Sequence, residues 1–234
     1  MNGKQLKNSI LQWAIQGKLV PQDPNDEPAS MLLERIRVEK EKLIKEKKIK
    51  KDKNESIIYR GEDNSYYEKF LATREVKCID EEIPFEIPAT WEWCRLLSIV
   101  SLLGDGIHGT PEYSEGGSVY FINGNNLFDG QILIKPDTKT VSKEEAVKHS
   151  RLLNESTVLV SINGTIGNIA FYSGENVILG KSACYFNLLN GIERKYIKIV
   201  LQTDYFLEYT KRVATGSTIK NVPLSGMRNV LIPI

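Results

Sequence analysis

Histidine and cysteine are scarce in this chain, at 2 and 3 of 234 residues. His108 and His149 lie outside any HExxH-type spacing, and Cys78, Cys94 and Cys184 are too far apart for a CxxC or Cys/His zinc site. An odd set of isolated thiols excludes a disulfide framework and fits buried or incidental cysteines in a reducing cytoplasm. An excess of one charge is missing too: 31 Lys+Arg face 30 Asp+Glu, for a formal net charge of +1. That balance excludes a uniformly basic nucleic-acid coat but leaves room for charge segregated onto one face. No apolar run approaches the roughly 20 residues that cross a bilayer, and the N-terminus lacks a signal-peptide core, so no membrane partner is expected. The GxSxG elbow, the P-loop and the Asn-Pro-Pro-aromatic run of amino-methyltransferases are all absent. These absences weigh little against catalysis in general and more against the common cofactor-using enzymes, so no cofactor and no metal are expected.

What is present begins with helix. Leu6, Ile10, Trp13 and Gly17 recur at helical spacing and predict a short amphipathic helix. Pro21, Pro24 and Pro28 forbid its continuation. A second helix, opened by Pro28 and Ser30, is expected through MLLERIRVEKEKLIKEKKIKK from Met31, a rod of roughly 30 Å over twenty residues. Its stripe of Leu32, Ile36, Leu43 and Ile44 is thin and its other faces alternate Glu with Lys, so it reads as a rod seeking a partner helix in this chain or another, or else as a solvated surface helix. The lysines from Lys42 to Lys53 suggest a frayed end running into a linker. The expected organisation is a helical arm over 1–53, a linker over 54–80 and a globular domain over 81–234.

The globular part reads as mostly β, making the whole α+β. Asn-Gly pairs at 123/124, 163/164 and 190/191, together with Asp129-Gly130, mark tight turns. Val158, Val160 and Ile162, with Ile166, Ile169 and Phe171 beyond the Asn163-Gly164 turn, predict a hairpin. Short helices are expected over 143–153, 193–202 and 205–213, with Thr203-Asp204 as break and cap. Gly104-Asp105-Gly106-Ile107-His108-Gly109 matches GxGxxG, with Asp129 at a suitable distance. Pro111, Gly116 and Gly117 follow where a phosphate-binding helix would have to start, so the stretch is a long exposed loop between strands.

Polar residues cluster in the predicted loops. Asn123, Asn125 and Asn126 lie beside Tyr120 and Phe121; Ser161, Asn163, Thr165 and Asn168 mark a second loop; Lys181-Ser182 follows Gly180; and Lys211, Arg212, Ser217, Thr218 and Lys220 surround Gly216. Each set alone is ordinary turn chemistry. Together, with Asn able to match adenine in the major groove and cations able to hold phosphate, they could form a nucleic-acid face.

The order of motifs resembles the specificity (S) subunits of Type I restriction-modification enzymes. The arm, LKNSILQWAIQGKLVPQDPNDEPA from Leu6 and LERI from Leu33, resembles their helical region. PFEIPATWEW from Pro84, GTPEY from Gly109, FINGNNL from Phe121, VLVSINGTIG from Val158, GST from Gly216 and LIPI from Leu231 resemble one target-recognition domain. The resemblance implies a mostly antiparallel β domain with a few short helices, preceded by a helical arm ending in one long helix. It implies double-stranded DNA as partner, read by His108, Thr110, Tyr113, Asn123, Asn125, Asn126, Asn163, Thr165, Ser217 and Thr218, with Lys181, Lys211, Arg212 and Lys220 on phosphates. Modification (M) and restriction (R) subunits are the implied protein partners and would carry the chemistry. Family members hold two recognition domains and two helical regions; this chain holds one of each, which leaves open a fragment of a longer subunit, a half-length subunit with a second specificity half-subunit as its partner, or a silent cassette, and the chain alone reads at most half a target. An interaction scaffold without DNA readout is the rival expectation.

Overall fold

In a computed structural model, residues 2–234 are described. Helix α1 (Gly3–Ile15) opens with a capping box in which Asn2 and Gln5 exchange hydrogen bonds. Helix α2 (Ala29–Lys45) starts where Pro28 fixes an extended residue, and its first N–H is received by the Thr90 carbonyl. Strands β1 (Ser56–Arg60), β2 (Tyr66–Phe70) and β3 (Val76–Cys78) form an antiparallel sheet. Strands β4 (Trp93–Arg95) and β5 (Val100–Asp105) lead into the domain, followed by β6 (Val119–Ile122), the hairpin of β7 (Leu127–Phe128) and β8 (Gln131–Ile132), and β9 (Thr140–Val141). After helix α3 (Lys143–Lys148) come β10 (Thr157–Ser161), β11 (Ile169–Phe171), β12 (Val177–Leu179) and β13 (Ala183–Leu188). Helices α4 (Arg194–Leu201), α5 (Asp204–Val213) and α6 (Leu224–Arg228) precede β14 (Leu231–Pro233), which pairs with β4 and ties the C-terminal end to the start of the domain.

The central sheet has the order β11-β10-β13-β5, all antiparallel. Strands β10 and β13 are buried along their whole length because both faces are covered, which explains continuous apolar runs such as Val158-Leu159-Val160. One face carries the main core with Phe186, Ile197, Leu201 and Phe206; the other packs Leu159 and Tyr185 against Ile122 and Leu179. Strand β12 runs parallel to β6, and the remaining named pairs are antiparallel. The α+β expectation, the hairpin of β10 and β11 and the short C-terminal helices are all present, and Thr203 caps α5 through the Phe206 N–H. Asp129 and Gly130 both have positive φ, as a two-residue hairpin turn requires.

Several expectations are corrected. The second helix ends at Lys45, because Glu46 caps it, Lys47 turns left-handed at φ 58° and the Leu43 carbonyl receives the Lys48 N–H. That reversal brings Glu55 back onto Lys40, and the two form an almost buried ion pair at 2.8 Å while Lys40 also donates to the Leu97 carbonyl. Of the alternatives left open for the arm, the structure shows packing on its own chain: Ile15 and Ile36 are buried in the main core, Glu39 accepts hydrogen bonds from Asn190, and Asp204 accepts from Asn8. Most of the segment expected as a linker, 54–80, is the sheet of β1, β2 and β3. Glu68 of β2 reaches Arg95 of β4 at 2.6 Å, and Glu82 also engages that guanidinium, so the sheet is bolted to the domain. The Asn123-Gly124 pair opens a 3-10 turn with Asn123 extended, not a tight positive-φ turn.

Trp93 is fully buried, with ring centroids 5.0 Å from Phe85 and 6.4 Å from Tyr205. Among the described residues, no helix is long and apolar enough to cross a membrane.

Candidate nucleic-acid interface

Register decides which loops meet. Ser161 pairs with Ala183 and Asp105 with Cys184, so the end of β10, the start of β13 and the end of β5 lie at one edge of the sheet, together with the start of β11. Strands β6 and β12 run parallel to each other, with Ile122 beside Leu179, and deliver their following loops to the same edge. The loops 106–118, 123–126, 162–168, 180–182 and 215–221 are thereby gathered.

Hydrogen bonds join these loops to one another. The Ser182 hydroxyl receives the Gly124 N–H at 2.8 Å and donates to Asn123 Oδ1 at 3.1 Å, and the Ser182 carbonyl receives the Ile162 N–H. The Ile107 N–H donates to the Leu179 carbonyl at 2.8 Å, and Gly164 N–H donates to the Lys220 carbonyl at 3.3 Å. Asn163 Nδ2 donates to Asn221 Oδ1 at 3.3 Å and Asn168 Nδ2 to the Gly124 carbonyl at 3.4 Å. Gly124 packs so tightly on Ser161 that a side chain there would overlap its hydroxyl. Arg151 supports the edge from behind by donating to the Asp105 carbonyl.

The sequence-predicted residues divide by exposure. His108, Thr110, Tyr113, Asn125, Thr165, Lys181, Lys211, Arg212, Ser217, Thr218 and Lys220 are exposed. Asn126 is buried at 5% exposure and fully engaged: it receives the Asn123 N–H and donates to the Leu133 carbonyl and Thr138 hydroxyl, so it shapes the loop and is not presented to a ligand. Asn123 and Asn163 are half-buried, the former on Ser182 and the latter on Asn221. His108 sits 2.8 Å from the Asp105 carboxylate.

Among the cations, Lys211 pairs with Glu208 at 2.6 Å, whereas Lys181, Arg212 and Lys220 make no ion pair among the described residues. Unpaired, exposed cations beside neutral amides and hydroxyls suit a polyanion whose edges carry donors and acceptors. Lys220 and Lys211 also border an open depression of about 320 Å³ floored by Ile166, Leu207 and Ala214. Sequence reasoning missed Asn221, whose partners Asn163 and Thr215 give no local signal of the contact.

The cysteines take no part in this edge. Cys94 and Cys184 are buried, and burial pushes both thiols up, Cys94 to about 12, which keeps them inert near neutral pH.

Comparison with known proteins gives a consistent set of relatives. The family described as Type I restriction modification DNA specificity domain matches residues 88–234. The Type I restriction enzyme EcoAI specificity subunit of Escherichia coli is 34% identical over 209 residues, covering 86% of this chain and 32% of the relative. The EcoEI specificity subunit of the same organism is 28% identical over 228 residues, covering 94% of this chain and 35% of the relative. The chain thus spans about a third of the length of these relatives. A solved S subunit from M. genitalium overlays with a TM-score of 0.42 at 20% identity, over 62% of this chain and 34% of that one. A solved HsdS subunit from Thermoanaerobacter tengcongensis gives 0.45 at 16% identity, over 64% and 34%. The relatives' designation as specificity subunits accords with the non-catalytic expectation.

Proposed function

Because the chain belongs to the Type I restriction modification DNA specificity family, we propose that its gathered loops read one half of a split double-stranded DNA target in the major groove, without chemistry of their own. The observation that carries this is the loop edge itself, where polar side chains and unpaired cations are presented together by loops that hydrogen-bond to one another. Asn125, Asn163, Thr165, Ser217 and Thr218, with His108, Thr110 and Tyr113 on the neighbouring loop, meet base edges, while Lys181, Arg212 and Lys220 hold phosphates. Lys211, already paired with Glu208, contributes less.

The wider assembly is part of the same proposal. Modification and restriction subunits supply methyl transfer and cleavage in the cytoplasm, and a second recognition half supplies the other part of the target. Docking of a modification subunit is supported by helix α1, whose Leu6, Ile10 and Trp13 are 44%, 41% and 48% exposed while Ile15 alone on that helix is buried. The same stripe favours the rival reading, a scaffold that holds partners and reads no DNA.

Titrating duplex DNA against the full chain, with and without a modification subunit, separates the two. Readout requires sequence-dependent affinity whose logarithm falls with log salt by about 0.9 per phosphate contacted. Tight partner binding with DNA affinity indifferent to sequence would leave only the scaffold.

A further inference from the structure

Tyr113 and Ile219 are the exposed large apolar side chains of the gathered loops, at 45% and 60%. They differ in surroundings. The Tyr113 ring lies 6.0 Å from that of Phe121 and its backbone bridges Val141, so it has apolar company. Ile219 belongs to no buried cluster. It sits at the tip of a hairpin closed by reciprocal 2.9 Å hydrogen bonds between Thr215 and Asn221. Gly216, at φ +93°, folds the tip back so tightly that its α-carbon faces the Ile219 carbonyl. Asn221 is in turn fastened to Asn163. The base of the tip is therefore pinned, and the tip displays Ser217, Thr218, Ile219 and Lys220 to solvent.

We propose that Ile219 determines specificity at one base pair by packing against the C5-methyl group of a thymine in the major groove, a contact that rests on the DNA-reading role proposed above. Patch size is what selects this occupant. A protein partner would be met by a contiguous apolar area, whereas Ile219 is one branched side chain in no apolar cluster, flanked in sequence by Ser217, Thr218 and Lys220. A thymine presents an apolar target of matching scale, one methyl beside hydrogen-bonding edges, with phosphates within reach of a neighbouring lysine. The β-branched side chain loses little rotamer freedom on contact. Lys220, next in sequence and without an ion-pair partner, is placed to hold the backbone flanking that base.

Deoxyuridine, which is thymidine without the methyl, provides the test. Duplexes preferred by the full chain are selected from a randomised pool, and each thymine of the preferred target is replaced in turn by deoxyuridine. At one thymine the substitution should weaken binding about fourfold, the worth of one methyl group. The Ile219→Val chain should keep most of that discrimination, and the Ile219→Ala chain should bind both duplexes equally at that position while discriminating normally elsewhere. A preferred target insensitive to deoxyuridine at every thymine, or a loss that persists unchanged in Ile219→Ala, would overturn the methyl contact and leave DNA reading intact. Absence of any preferred sequence would overturn both.

Discussion

The two ends of strand β5 use charge in opposite ways. Near Val100, where the arm and the small N-terminal sheet meet the domain, charges are buried and paired: Lys40 with Glu55, and Arg95 with Glu68 and Glu82, with side-chain exposures of 12% or less except for Glu82. Near Asp105, where the loops gather, Lys181 and Lys220 are exposed and without ion-pair partners, and cohesion comes from neutral amides and hydroxyls. A buried charge is committed to one partner, because removing that partner leaves it unsolvated. An exposed charge remains available to a ligand. The near-zero total thus conceals a division between charge that holds the arm and charge left free for a ligand.

Breaking the paired end should have the largest effect. Arg95→Ala leaves Glu68 buried without its cation and orphans the Asn229 carbonyl; a loss of about 3–5 kcal/mol in urea-unfolding stability is expected. The salt slope of DNA binding should stay the same wherever the protein remains folded. Gly124→Ala tests the other end's neutral packing. The added methyl meets Ser161 and should cost about 1–3 kcal/mol and weaken binding, since two loops must move apart.

Acid should act on the paired end first. Burial pushes the Glu68 carboxyl up, but the Arg95 and Ser56 hydrogen bonds outweigh it and leave its pKa below the ordinary carboxylate value. Its folded pKa lies below its unfolded one, so its contribution is complete above the ordinary carboxylate range and is lost as pH falls from that range through the lowered folded pKa. Unfolding measured from pH 7 downward should show the wild type losing more stability than Glu68→Gln, which starts lower and has no such proton to take up.

The smallest effect on stability, within about 0.5 kcal/mol, is expected for Lys181→Ala and Lys220→Ala. Each should lower affinity for all DNA sequences alike and flatten the salt slope by about one unit. Were either to destabilise the protein as much as is expected for Arg95→Ala, the contrast between the two ends would collapse.

Local pattern carried part of this. The hairpin from Val158 to Phe171 and the cap at Thr203 are read within a few residues, and both are present. The arm's docking is not local: its partners are Glu55 and Leu97 for Lys40, Asn190 for Glu39 and Asp204 for Asn8, and a Glu/Lys-rich helix looks alike whether solvated or clamped. The sheet at 56–78 hid behind its charge, because Glu68 reads as a surface residue until Arg95 is brought beside it. In the candidate site, Asn125 and Asn126 are the same residue side by side, yet one faces solvent and the other anchors Leu133 and Thr138. Which asparagine is structural depends on a turn that sequence does not disclose.

The Ser182 hydroxyl, donor to one loop and acceptor from the same turn, with its carbonyl holding another, works as a shared post. Loops mounted on a common post cannot be revised one at a time. Exchanging a single loop between relatives would unseat its neighbours, so a new target preference is most readily transplanted as a cassette running from about Asp105 to Asn221, with the arm and the small N-terminal sheet left as a reusable chassis.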